Sequence, residues 1–366
     1  MTGEPVAAAS LTALARDLLG EDGWAEFTEV RAFDLSKVIA GVRCRINLLH
    51  SARGVGMAVR LLSSFQATLA SLNLHPDVKK LVANRHGLLM VSGPTGCGKS
   101  STVAAMLQEI NLSETRHILT IESPIEYVLT PQSAFIRQRQ VGRDTPSFEQ
   151  ALTDALREDP DVLMVGEMRD AETMRLTLNA AETGHLVITT VHSSSAAEAL
   201  GRVVSAFPSE IQAGICAQLA DCLAGVVCLR LRYREDLKMR IPECEILVPS
   251  SGVRGTIRAG QFSRLATALE GGGQEGQWTW ARYRSWVDAK TDWVAPSARS
   301  QEPVASDPEP ARALPTERAL PTQRQESRRP KSPKQPATPE PVSDGALVID
   351  DVDEDPASIL EKLGRR

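Results

Sequence analysis

Eight consecutive residues, Gly93-Pro94-Thr95-Gly96-Cys97-Gly98-Lys99-Ser100, satisfy the pattern G-x-x-x-x-G-K-[ST] in full. Glycines in such a run let backbone N–H groups turn inward onto phosphate oxygens. A helix starting at Lys99 would add the positive end of its dipole. The Lys99 ammonium is placed to reach β- and γ-phosphates and the Ser100 hydroxyl to ligate Mg²⁺, and residues 93–101, through Ser101, are the nucleotide-binding candidates. The chemistry implied is the binding of a nucleoside triphosphate with magnesium.

Two glutamates would turn binding into hydrolysis. Glu167 follows the apolar run Val162–Val165, so its carboxylate would stand at the C-terminal edge of a sheet and hold the metal or its water shell. Glu126 follows the run His117–Ile121, where a carboxylate can polarise an attacking water as general base. Either one alone reads as a solvated loop charge; together, after a full phosphate loop, they favour catalysis. His185 and His192 bracket the apolar run Leu186–Val191, which suggests a sensor of the γ-phosphate beside the structural reading that a single histidine deserves.

These residues need a frame, and from Gly87 onward the sequence supplies it. Short apolar runs at Leu88–Val91, His117–Ile121, Asp161–Val165 and Leu186–Val191 read as strands. Between them Lys99–Ile110, Ser147–Glu158 and Ala171–Ala181 read as helices. Continuous apolar strands alternating with amphipathic helices predict an α/β fold whose parallel sheet is covered on both faces.

Composition sets limits on the rest. The chain has 366 residues and a net charge of −5, so no global basic field points to nucleic acid. No apolar run reaches the ~18 residues that a membrane span requires, and the N-terminus has no secretory pattern. Six cysteines lack metal-site spacing and read as reduced thiols of a cytoplasmic protein. Beyond Trp293 there is no aromatic residue, and 11 of the 22 prolines fall between Pro296 and Pro341. The expected division is an N-terminal module at 1–65, an ATP-binding domain at 66–294 and a disordered Pro-rich tail at 295–366. The tail ends in an acidic run, Asp350–Asp355, and in Pro356–Leu363, read either as unstructured or as a short helix formed on a partner.

Four segments, in order, resemble the GspE/PilT family of secretion-motor ATPases, which power type IV pili and type II secretion. They are the phosphate loop, Ile118–Tyr127 (resembling the family's Asp box), Leu156–Asp170 (its Walker B segment) and Ala181–Ala197 (its His box). The likeness runs from about Arg31 to about Leu269 and is nearer the retraction branch. The four-cysteine zinc site of extension motors is absent, and Val253–Arg258 partly matches a retraction-branch motif. The resemblance implies a RecA-like P-loop ATPase domain preceded by a PAS-like α+β domain. It also implies a homohexamer that uses ATP and Mg²⁺ at the cytoplasmic face of the inner membrane to drive pilus retraction. A platform protein and related pilus ATPases would be its partners. Lys99 then matches the phosphate-loop lysine, Glu126 the catalytic glutamate, Glu167 the Walker B acid, and His185 and His192 the His-box pair. Arg45, Arg60, Arg139, Arg143 and Arg157 match arginines that clamp phosphates.

The sequence also departs from the family. The PAS-like module reads as truncated, with no counterpart of its opening strands expected before Leu11. Ser123 stands where the family carries aspartate, and Trp278–Trp286 replaces the usual C-terminal helix; these tryptophans read as core packing. Cys97 occupies a variable loop position at a helix N-terminus, where a thiol pKa can fall, although an inert small residue is the default. Two other functions stay open: a regulatory protein that binds nucleotide with little turnover, and a motor serving type II secretion or DNA uptake.

Overall fold

A computed structural model describes residues 6–39, 42–61, 67–168 and 170–295, without the side chains of Val42 and Arg43. The expected boundary at 65/66 and the expected tail, including its terminal helix, lie outside the described residues, Ala295 apart.

The N-terminal module is a helix laid on a three-stranded antiparallel sheet. Helix α1 (Ala8–Val30) is broken at Gly20 and ends at Arg31, in left-handed conformation. Strands β1 (Ala32–Ile39), β2 (Val42–Ser51) and β3 (Gly54–Leu61) follow in the order β1-β2-β3. In β2, Cys44, Ile46 and Leu48 alternate inward and bury with Phe27 and Ala15 of α1, so the period of two supplies one small core.

The second module is built on a seven-stranded sheet. Helix α2 (Asp77–Val82) leads into β4 (Gly87–Ser92), and α3 (Lys99–Ser113) leads to β5 (His117–Glu122) and β6 (Phe135–Gln140). Then come α4 (Phe148–Ala155), β7 (Val162–Val165), α5 (Ala171–Glu182), β8 (Leu186–Val191), α6 (Ala196–Ser205) and α7 (Ser209–Cys222). The strand order is β10-β9-β4-β8-β7-β5-β6, with β9 (Leu223–Arg234) parallel to β4 and only β10 (Met239–Leu247) antiparallel. Leu88 and Met90 of β4 point into one core and Leu89 and Val91 into the other, so an unbroken apolar strand is buried on both faces.

Helix starts are set by short polar side chains. Ser147, Asp170 and Ser195 accept from the N–H groups of Gln150, Thr173 and Glu198 at the heads of α4, α5 and α6. Helix α4 stops three residues short of the predicted Glu158. Arg157 and Glu158 make tighter bonds to Asp154 O and Ala155 O, and Asp159, ahead of Pro160, turns left-handed at φ +51°.

Helices α8 (Ser251–Arg258), α9 (Leu265–Gly271) and α10 (Trp280–Ala289) close the fold. The tryptophans act as core, as expected. Tyr283 is fully buried, Trp278 and Trp286 pack beside it against the His75 ring, and Trp278 Nε1 donates to Asp77 Oδ2 at 2.7 Å.

Candidate functional site

The central strand β4 ends at the phosphate loop. Gly93, at φ +145°, could not carry a side chain, because a Cβ would lie 2.5 Å from Leu229 O on the neighbouring strand β9. The loop then turns through left-handed Gly96 and Gly98 into α3. Lys99 Nζ donates to Gly93 O at 2.8 Å and Pro94 O at 3.1 Å, and lies 3.3 Å from His192 Nδ1. Burial pushes the lysine pKa below its ordinary value against the opposing pull of Cys97, Glu167 and Glu126. Cys97 lies beneath the loop, only 5% exposed, and burial raises its thiol pKa despite the nearby Lys99. Burial of Cys97 thus supports the default reading of a small packing residue over a helix-terminal thiol of lowered pKa.

The other strands bring their loops to the same edge. Glu167 follows β7 through Gly166, whose N–H donates to Ile121 O and whose carbonyl accepts from Thr190 Oγ1. Its neighbour strand β8 delivers His192. That segment is fixed by a pair of bonds between Ser92 Oγ and the Ser193 backbone and by Arg202 Nη1 donating to His192 O. Glu126 sits in the loop after β5. Lys99, Ser100, Ser101, Glu126, Glu167 and His192 line one cavity of about 560 Å³, with Thr95, Gly96 and Gly98 of the loop. The size is that of a cofactor-scale pocket.

Two arginines of the N-terminal sheet complete the wall. Arg45 and Arg60, opposite one another on β2 and β3, both line the cavity. The Arg45 guanidinium lies 2.6 Å from Asp34 Oδ2 and 3.6 Å from Glu126 Oε1, and these carboxylates raise its pKa against the cost of burial. Ser36, which pairs with Arg45 across β1 and β2, donates to Ile125 O at 3.5 Å.

Four sequence candidates lie elsewhere. His185 stands at the opposite end of β8 from His192, about 20 Å along six residues of strand. There its Nδ1 meets Ala180 O at 2.9 Å. The two histidines therefore do not form one sensor at the phosphate loop within this chain. Arg139 pairs with Asp154 and Glu158, and Arg143 with the adjacent Asp144. Arg157 is exposed on the turn after α4.

The cavity holds three further groups that sequence reasoning left unassigned: Glu122, Tyr127 and Gln138. Glu122 and Tyr127 stand inside the segment Ile118–Tyr127 but carry nothing in their spacing to single them out. Gln138 lies on β6, whose run Phe-Ile-Arg-Gln-Arg-Gln gives no apolar strand signal.

The donor set suits a hard cation: hydroxyl and carboxylate oxygens of Ser100 and Glu167 face the same cavity as the lysine. Among the described residues no group of three or more His, Cys, Asp or Glu side chains could hold a metal alone.

The Type II/IV secretion system protein family matches residues 34–250. The chain is 40% identical over 268 residues to the type IV pilus retractation ATPase PilT of Pseudomonas aeruginosa, covering 73% of this chain and 78% of that protein. It is 39% identical over 248 residues to a twitching motility protein of Neisseria gonorrhoeae, covering 68% of this chain and 66% of the other. Among solved structures, the crystal structure of the pilus retraction motor PilT with bound ADP matches with a TM-score of 0.67 at 36% identity. That match covers 77% of this chain and 84% of the other.

Proposed function

Because the chain belongs to the type II/IV secretion system protein family, as a P-loop secretion-motor ATPase of the PilT/GspE kind, we propose that it hydrolyses Mg²⁺-ATP within a homohexamer and drives retraction of a type IV pilus, itself or as an accessory paralogue. The observation that carries this reading is a single cavity. In it the lysine, two glutamates and a histidine of the ATPase module face two arginines of the N-terminal module.

On this reading the N–H groups of residues 93–98 and the Lys99 ammonium bind the phosphates. Glu126 takes the proton of the attacking water onto its carboxylate. Ser100 and Glu167 would hold Mg²⁺, which when bound offsets charge on the β- and γ-phosphates. His192, within 3.3 Å of the lysine, answers to the γ-phosphate. Arg45 and Arg60 meet the charge that spreads over the transferring group, for which a planar guanidinium is suited. Arg157, being exposed, is the arginine open to a neighbouring subunit, whereas Arg139 and Arg143 hold acids of their own chain. No helix among the described residues is long and apolar enough to cross a membrane. Docking on a platform protein at the cytoplasmic face of the inner membrane fits the retraction role.

Steady-state phosphate release by the full chain, compared with Glu167→Gln and Glu126→Gln, tests the enzyme. Turnover that neither substitution changes would leave a nucleotide-binding regulator or another active site. Pilus number and twitching in a deletion strain test the cargo: retraction predicts excess surface pili without motility, and normal twitching with failed secretion would point to type II export.

A further inference from the structure

We propose that Gln138, together with Glu122, is a positioning residue that holds the loop carrying Glu126 in its working place. The inference rests on the reading of Glu126 as the base.

Residues 123–129 leave the sheet after β5, and their backbone is held by side chains. Ile125 N–H donates to Gln140 Oε1 at 3.3 Å, and Leu129 N–H donates to Gln138 Oε1 at 2.8 Å. Gln138 Nε2 donates to Tyr127 O at 2.9 Å and to Glu122 Oε1 at 3.1 Å. The same Glu122 oxygen accepts from Thr120 Oγ1 at 2.7 Å. The residues on both sides of the base, Ile125 and Tyr127, are thus tied to β5 and β6.

Sheet register explains why these groups meet. Thr120 pairs with Gln138 and Glu122 with Gln140 across β5 and β6, so alternate residues of both strands share one face. Phe135, Arg137 and Arg139 take the other.

The chemistry at 138 is specific. A primary amide alone supplies both donors, to Glu122 and Tyr127 O, and the acceptor for Leu129 N–H. An apolar residue of the same length would take away the partner of Tyr127 O and of Leu129 N–H and one of the two donors to Glu122 Oε1, and a glutamate would set a second carboxylate against Glu122. Glu122 is only 8% exposed and burial raises its pKa, so it depends on these donors. On the far side of the loop, Tyr127 Oη lies 2.7 Å from Ser101 Oγ, which ties it to the first turn of α3.

The test uses the full chain and reads kcat and KM for ATP separately. Gln138→Leu should lower kcat about 10- to 100-fold, the cost of misplacing a catalytic group by about 1 Å. KM should stay within about threefold, because the phosphate loop is untouched. The double variant Gln138→Leu/Glu126→Gln should be no slower than Glu126→Gln alone, since a positioning residue has nothing left to position. If Gln138→Leu does not fold, Gln138→Asn, too short to span its three partners, carries the same expectation. An unchanged kcat in a folded Gln138 variant beside an inactive Glu126→Gln would overturn the proposal. So would losses that multiply in the double variant. A fully active Glu126→Gln would remove the base reading itself, and this inference with it.

Discussion

Replacing Arg45 by alanine separates what this residue does for folding from what it does for chemistry. In the structure its guanidinium has two partners, Asp34 at 2.6 Å and Glu126 at 3.6 Å. Arg45 and Asp34 are each more than a third exposed (35% and 37%) and Glu126 is 29% exposed, so water screens both pairs. Each pair then contributes about 0.5–1 kcal/mol to stability, and losing both costs about 1–2 kcal/mol. In a fold of this size that lowers the melting temperature by about 2–6 °C. If the guanidinium also meets charge in the transition state, kcat should fall about 10²- to 10³-fold, equivalent to about 3–4 kcal/mol. The kinetic loss therefore exceeds the structural one by at least about 1 kcal/mol. Phosphate release at saturating Mg²⁺-ATP measures kcat, a melting curve of the same sample measures stability, and light scattering shows whether the oligomer persists. Arg45→Lys keeps the charge without the planar fork and should recover part of the rate. A kcat within threefold of the parent in Arg45→Ala, with the melt shifted as calculated, would refute the catalytic part and leave Arg45 as an ordinary surface ion pair.

Other outcomes follow from the same geometry. Lys99→Ala should remove detectable ATP binding in a fluorescent-nucleotide titration, and Glu167→Gln should keep binding while lowering kcat by two to four orders of magnitude. If the working form is a ring, specific activity should rise with protein concentration and a hexamer-sized species should appear by light scattering with ATP; full activity in a strict monomer would exclude it. Glu243, fully buried on β10, faces Arg230, Arg232 and Arg284 at 2.6, 2.6 and 3.3 Å. Burial alone would raise its pKa, but hydrogen bonds from Arg230 and Arg284 outweigh it and hold the carboxyl below the ordinary glutamate value. Its contribution is thus complete above the unfolded pKa of about 4.3 and is lost as pH falls through the lower folded value. Glu243→Gln should cost about 2 kcal/mol near pH 7, less than a sealed ion pair because the arginines keep access to water, and the deficit should shrink in acid melts.

Much of this site was legible because its signals are local. The phosphate loop is contiguous, its glycines are needed at particular backbone angles, and β4, β5, β7 and β8 are apolar runs buried on both faces. What escaped is non-local. Strand β6 is an edge strand, so it needs no apolar run; its glutamines act across a gap of 9 to 16 residues through contacts that only the register creates. The separation of His185 from His192 within this chain escapes the sequence for a related reason. Sequence gives the two ends of a strand equal weight, yet only the C-terminal end of β8 meets the phosphate loop, and the other is turned toward α5. The three tryptophans pack against the core as expected, but His75 and Asp77, the partners of Trp278 and Trp286, lie some 200 residues earlier and leave no trace in the C-terminal segment.

The loop of Glu126 has two sets of anchors, and they belong to different bodies. From within the ATPase module it hangs on Glu122, Gln138 and Gln140 of the sheet, whose distances are fixed by strand pairing. From outside it is touched by Ser36 and Arg45, neighbours on the N-terminal sheet. Among the inner partners Glu122 and Gln140 are buried, whereas the contacts from Ser36 and Arg45 are long and partly wet. A shift of the N-terminal sheet would therefore break the outer contacts first and leave the loop in place. It would carry away the guanidinium while Glu126 stayed at its post. On the reading proposed above, movement between the modules then acts on catalysis by adding or removing the arginines, not by displacing the base. The order of those strengths is what would let hydrolysis and domain motion be coupled without the active site being rebuilt in every cycle.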